Sequence, residues 1–361
     1  MQINLKRVGL LIGGIILLIV SFWYIGFLEI INKVLTADPL LLLIAYILFF
    51  IMLGLRTIRW KILLNHLNVS LSYKETMGTL LSSYYVHAVS PRALGEMYRG
   101  YMASKLDTKA SGSTLGDTFA TVVLEKIFDV LLVIITGAVG LAWLLFYSSG
   151  DYTTILIFFG LAIVIACLII AACFNKRLFL KISNLLQAIL SIWPKRLGRE
   201  KLQHFVQVNL DKFSISLEIL RGNKTLLIRI SLISIVIWLI EVLKLSFVFL
   251  AIDIPLSYFE TGYIYSISAI IGYVSMIPGG IGSQELAFIF LLSLRGISTD
   301  TSGAAVLLYR SIFFIGNILV GGITFILIGS KVPIKSTVND INQKESLNDS
   351  NQNSQVMEYL S

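Results

Sequence analysis

A chain of 361 residues that is 56% hydrophobic and only 14% charged, with mean hydropathy +0.84, is not built to face water; an ordinary soluble domain carries about 25% charged residues. Its net charge of +8 would point to nucleic acid in a soluble protein. In a chain this apolar, the charge follows from lysine and arginine retained on the cytoplasmic side of a membrane, so no nucleic-acid partner is expected.

The first apolar run, 8–27, follows Lys6 and Arg7. It is too long for a signal-peptide core and no A-x-A site follows, so it is expected to be an uncleaved span. Further spans are expected at 39–56, 118–146, 153–174, 225–250 and 303–329, each near the length of about 20 residues that crosses a bilayer. Cys167 and Cys173 share the 153–174 run at a spacing that fits neither metal nor redox chemistry, and read as soft buried hydrophobes. Two other apolar regions are interrupted, 76–110 by SPRALGEMYRG and 257–295 by IPGGIGSQE.

Loop charge sets the expected orientation. The 175–224 segment holds ten Lys and Arg against three acids, and the 57–75 loop adds Arg59, Lys61 and Lys74, so both are expected to be cytoplasmic. The 147–152 and 251–256 loops hold no Lys or Arg and are expected outside. Six spans with both termini cytoplasmic satisfy this only if each interrupted region enters and leaves on one face, the first from the cytoplasm and the second from outside. The 175–224 segment has helical periodicity and reads as amphipathic surface helix. Residues 333–361 are polar and read as a disordered cytoplasmic tail.

The two interruptions resemble each other. Pro91-Arg-Ala-Leu-Gly95-Glu96 and Pro278-Gly-Gly-Ile-Gly282-Ser-Gln-Glu285 both read P-x-x-[LI]-G with a glutamate following. Downstream, ATVVLEKIFDVLL and AAVLLYRSIFFIG bring Lys126 into correspondence with Arg310, at nearly the same offset as Pro91 from Pro278. The expected architecture is therefore all-α and polytopic: six full transmembrane helices plus two re-entrant helical hairpins in an inverted repeat. The transmembrane domain would cover 1–332, with halves at 1–146 and 153–329. In such repeats, ligand sites form at the midplane where broken helices meet. Irregular backbone at that depth is tolerated where protein buries it or a wet cavity receives it. Helix N-termini near Ala93 and Gly282 would offer free N–H groups to an anion.

Ionisable residues within the apolar runs are the site candidates, because each is costly in lipid. Glu241 and Lys244 are spaced to pair with each other. Glu125 and Asp129 share a helix face and need a cation, for which Arg310 or Arg92 is expected. Arg92, Glu96, Arg99, Glu285 and Arg310 gather at the repeated breaks, and His87 and tyrosines 84, 85, 98, 101 and 273 flank them. The chain lacks G-x-x-x-x-G-K-[ST], H-E-x-x-H, G-x-S-x-G and C-x-x-C, so no cofactor, metal or P-loop ATP chemistry is expected.

SPRALGEMYRGYMASK followed by TVVLEKIFDVLL, then IPGGIGSQELAFIFLL followed by LLYRSIFF, resembles the flippase-like transmembrane region of the lysylphosphatidylglycerol synthases, which stand-alone bacterial and archaeal membrane proteins share. The resemblance runs over residues 5 to 330, and P-G-G-[IL]-G-x-x-E is its most specific part. It marks Pro91, Gly95, Glu96, Arg99 and Glu125 in the first half. In the second it marks Pro278, Gly279, Gly280, Gly282, Glu285, Tyr309 and Arg310. Arg92 departs from the pattern, standing where glycine often follows the proline. The synthases carry a further cytosolic aminoacyl-transferase domain, which this chain is expected to lack. The resemblance thus implies lipid translocation across the cell membrane, of a phospholipid or a polyprenyl-phosphate lipid, with no enzymatic step. The alternatives are a membrane transferase, or an assembly partner of a lipid-modifying enzyme. In the first reading the helix N-termini with Arg92, Arg99 and Arg310 take the phosphate, while Glu96, Glu125 and Glu285 hold the arginines or meet a cationic headgroup.

Overall fold

The computed structural model describes residues 32, 34–90, 92–107, 113–147, 153–175, 179, 181, 184, 199–274 and 282–330. The expected first span, the tail, Pro91, Pro278, Gly279 and Gly280 lie outside them. The described residues fold into helices: α1 (Pro39–His66), α2 (Tyr73–Val89), α3 (Arg92–Leu106), α4 (Leu115–Tyr147), α5 (Thr153–Phe174), α6 (Arg199–Gly222), α7 (Lys224–Leu250), α8 (Tyr258–Val274), α9 (Ser283–Ser293), α10 (Thr299–Phe313) and α11 (Gly321–Gly329). A π-helical stretch, Phe314–Val320, joins the last two. Among the described residues, four helical stretches are long and apolar enough to cross a membrane: Pro39–His66, Leu115–Phe146, Lys224–Leu250 and Thr299–Gly329.

The termini of these helices follow from local chemistry. Asp38 caps α1, its carboxylate accepting from the Leu40 N–H at 2.8 Å, with Pro39 at the first helical position where a missing N–H costs nothing. The helix then runs to His66, well past the expected end of the span at 56, so Arg59 and Lys61 are helical and the connecting loop is short. At its end the chain turns through Asn68 at φ 59°, and the Val69 N–H reaches back to the Leu64 carbonyl at 2.9 Å.

This ending recurs half a chain later. Asp253 closes α7 at φ 58°, and the Ile254 N–H reaches the Phe249 carbonyl at 2.9 Å. Each turn leads into nearly the same sequence, LSYKET at 71–76 and LSYFET at 256–261. Both form a capping box. Ser72 and Ser257 each donate their hydroxyl to the following glutamate (Glu75, Glu260) at 2.7 Å, and each glutamate N–H donates back to the serine Oγ at 3.2 Å.

α1 and α7 pack side by side and antiparallel. The Asp38 N–H donates to the Ala251 carbonyl at one end, and Asn223 meets His66 at the other. α2 packs on α11 and α8 on α4, each through a glycine that lets backbones approach. A Cβ on Gly321 would lie 2.7 Å from the Leu81 carbonyl, and one on Gly140 would overlap Tyr263. Cys167, expected to be buried, is exposed on α5, a helix that few of its described neighbours cover. Apolar clusters lie on either side of the centre: Leu53, Trp60, Leu80 and Met102 in one, Leu141, Phe159, Ile264 and Phe288 in the other. The interior between them is polar.

Candidate functional site

Most of the charge in this interior enters as pairs. Arg59, on the last third of α1, donates through Nε to Glu125 at 2.9 Å and through both Nη atoms to Asp129 at 2.6 and 3.1 Å, with Ser234 Oγ at 2.7 Å completing its shell. Arg99, brought in by α3, pairs with the other oxygen of Glu125 and lies 4.0 Å above the Trp60 ring. Trp60 is itself fixed by its indole N–H to Thr121 Oγ1 at 3.0 Å. Arg59, Arg99 and Glu125 are each no more than 3% exposed. Bidentate guanidinium–carboxylate geometry is what makes such burial tolerable, and it ties α1, α3, α4 and α7 together. Glu125 and Asp129 are thus held not by Arg310 or Arg92, as the sequence leads one to expect, but by Arg59, with Arg99 on Glu125. Arg59, expected in a cytoplasmic loop, escapes a hydropathy reading because the apolar run ends before it.

The two interruptions carry equivalent bridges. Glu96 on α3 pairs with Lys126 on α4 at 2.7 Å and with Arg99 at 3.6 Å. Glu285 on α9 pairs with Arg310 on α10. Glu285 also accepts from the Gly282 N–H at 2.7 Å, so one carboxylate caps the helix and holds the arginine. Gly282 sits at φ 89°, a conformation that side chains rarely adopt. Gly95 serves a different need: a Cβ there would lie 2.8 Å from the Ser83 carbonyl and from His87, so glycine lets α3 lie on α2. Glu241 and Lys244 pair as expected, at 2.6 Å, and Tyr309 donates its hydroxyl to the same carboxylate at 3.1 Å.

Beside these bridges lies a cavity of about 110 Å³. Helices of both halves line it: Arg56 from α1, Tyr84 and His87 from α2, Lys126 from α4, Glu241 and Lys244 from α7, Tyr265 and Tyr273 from α8, Gln284 from α9, Tyr309 and Arg310 from α10, and Asn317 from the π-helical stretch. Four cations and one carboxylate make its lining electropositive. A smaller space adjoins it, sharing Arg56, Glu241, Tyr265 and Tyr273 and adding Asp129.

Of the residues that the sequence singled out, Tyr309 and Arg310 line the cavity, as do Tyr84, His87, Lys126, Glu241 and Tyr273. Glu96 and Glu285 touch it through the cations they hold. Arg99 and Glu125 are sealed away from it, and Arg92 opens α3. Arg56, Gln284 and Asn317 line it without being conspicuous in the sequence, and Lys244 lines it although its spacing suggests no more than a pair with Glu241. A signal for Arg56 existed: the span's last apolar turn ends in Arg56, one helical turn from Arg59.

Fold and site together define a multi-pass, all-helical membrane protein with a cavity lined by cationic side chains. The chain belongs to the family described as the lysylphosphatidylglycerol synthase TM region, which residues 8–321 match. It is 25% identical over 318 residues to a UPF0104 membrane protein of Methanothermobacter thermautotrophicus, covering 86% of this chain and 91% of that one. It is 23% identical to the glycosyltransferase AglD of Haloferax volcanii, over 84% of this chain and 51% of that one. A stretch of 108 residues, 30% of this chain, is 29% identical to 13% of the phosphatidylglycerol lysyltransferase of Staphylococcus epidermidis. No solved structure matches the chain.

Proposed function

We propose that this protein translocates a lipid across the cell membrane, its phosphate passing through the central cavity while the acyl or prenyl chains stay in the bilayer. One observation carries the reading: a cavity lined by four cations and drawn from both halves. Such a lining suits an anionic headgroup. In this reading 1–332 is the transmembrane domain, α2–α3 and α8–α9 are re-entrant hairpins, and the halves form an inverted repeat with both termini cytoplasmic. The antiparallel packing of α1 on α7 and the crossed packing of α2 on α11 and α8 on α4 support that symmetry. So does the common turn and capping box found once in each half. The glutamates hold the cations, and Arg310, with Tyr309 beside it, meets the phosphate.

Two of the similar proteins are named as transferases, which favours as second reading a partner in lipid or lipid-linked glycan modification. Mass spectrometry of lipids retained by detergent-purified protein separates the two. Translocation predicts one lipid class enriched over the host membrane in the wild type and lost in Arg310→Gln. Bulk membrane lipid in both samples would contradict it.

A further inference from the structure

The charge pairing of the interior leaves one cation over. In the ion-pair network at and beside the cavity, as the described residues show it, six cations (Arg56, Arg59, Arg99, Lys126, Lys244, Arg310) meet five carboxylates (Glu96, Glu125, Asp129, Glu241, Glu285). Each carboxylate has a close cation of its own: Glu96 with Lys126, Glu125 with Arg99, Asp129 with Arg59, Glu241 with Lys244, Glu285 with Arg310. Arg56 is the remainder. Its approach to Glu241 is 3.9 Å, to a carboxylate that Lys244 already holds at 2.6 Å. Tyr84 Oη accepts from Arg56 Nη1 at 3.1 Å, and Arg56 Nε is buried with no hydrogen-bond partner. Arg56 lines both the cavity and the smaller space beside it. Across the cavity, Asn317 is only 7% exposed and its side-chain oxygen has no hydrogen-bond partner.

We infer that Arg56 is the anchor of the ligand's phosphate, and that the cavity takes a singly charged phosphodiester. The chemistry follows from the count. One surplus positive charge is neutralised by one negative charge, which is what a phosphodiester carries. A guanidinium matches its two non-bridging oxygens through paired N–H donors. Lys126 and Arg310 flank the site but arrive with their charges matched, so a monoester or diphosphate would have to pull them from Glu96 and Glu285. The Asn317 amide and the Tyr84 hydroxyl are placed for the neutral remainder of a headgroup. The inference rests on the translocation reading only for the source of the phosphodiester, a lipid.

The test uses full-length protein in a non-ionic detergent and measures binding by calorimetry. The probes are dihexanoyl-phosphatidylglycerol below its micellar concentration, the chain-free glycerophosphoglycerol, and glycerol 1-phosphate as the monoester. Wild type is expected to bind the short-chain lipid most tightly. Arg56→Gln is expected to weaken it by roughly tenfold or more, the size of a charge-assisted pair lost; Arg56→Lys is expected to restore part of it. Lys61→Gln, on the same helix outside the cavity, is expected to bind as wild type. Unchanged binding in Arg56→Gln, in protein that elutes and unfolds like wild type, overturns the inference, as does tighter binding of the monoester. Equal binding of glycerophosphoglycerol supports the anion anchor and assigns it to a soluble ligand. Binding lost in Arg56→Gln, with no lipid movement in vesicles, keeps the anchor and removes the translocation reading.

Discussion

Glu125 shows how this protein tolerates charge in its interior. Its two oxygens are divided between Arg59 and Arg99, and it is 1% exposed. Replacing it by glutamine leaves two guanidiniums with one carboxylate fewer, the situation in which breaking a buried pair costs about 3–5 kcal/mol. Glu125→Gln is therefore expected to lower the unfolding midpoint in detergent markedly; an unchanged midpoint would show that the network is wet. Gly282 makes a second residue-scale case. Alanine there must adopt φ 89°, at a cost of about 1–3 kcal/mol, and loosens the cap that aligns Glu285 with Arg310. Gly282→Ala is expected to destabilise and to weaken lipid retention together, read by thermal unfolding and lipid analysis of the same preparation. The sequence made Glu125, Asp129, Glu285 and Arg310 conspicuous because they interrupt apolar runs. It hid Arg56 and Arg59, because they stand where an apolar run ends and a polar loop is the default reading. Only the approach of α4 shows that the helix continues and that Arg59 is buried.

At the scale of elements, the long helices were legible from hydropathy and the breaks from proline and glycine. Lys126 and Arg310, which their spacing sets in correspondence, each pair with a glutamate beside one of the interruptions. A further likeness between the two regions is harder to see. LSYKET and LSYFET carry the S-x-x-E pattern of a capping box, once in each half, yet they sit at the edges of the apolar regions, where attention to hydropathy passes over them. These boxes fix where α2 and α8 begin. Ser72→Ala and Ser257→Ala are each expected to cost about 1 kcal/mol, and the double variant about their sum, since the sites are independent. Unfolding midpoints of the two single variants and the double variant check this. Gly95 sets the packing of α3 on α2, a role that the spacing of residues alone does not reveal. Gly95→Val is expected to cost about 1–3 kcal/mol by pressing on the Ser83 carbonyl.

For the molecule as a whole, the proposed inverted symmetry has a direct consequence. Ser70 and Pro255 occupy equivalent positions in the two halves, each just ahead of the repeated LSY segment in the turns before α2 and α8. Inversion puts them on opposite faces of the membrane. In a chain with Cys167 and Cys173 replaced by serine, Ser70→Cys is expected to react with an impermeant maleimide only from the cytoplasmic side, and Pro255→Cys only from outside. Labelling of both from one side would remove the symmetry. At this scale the cavity was not legible in the sequence, because its lining comes from helices near opposite ends of the chain, with Arg56 on the first described helix and Arg310 on the tenth. The central claim is lipid movement through that cavity. It is tested most directly with full-length protein reconstituted into sealed vesicles holding headgroup-labelled phosphatidylglycerol or a labelled polyprenyl phosphate, with an impermeant quencher added outside. The account predicts that wild-type protein exposes inner-leaflet label of one of these lipids to the quencher, and that Arg310→Gln and Arg56→Gln do not. Quenching confined to the outer leaflet with wild type, or identical in wild type and both variants, would contradict it.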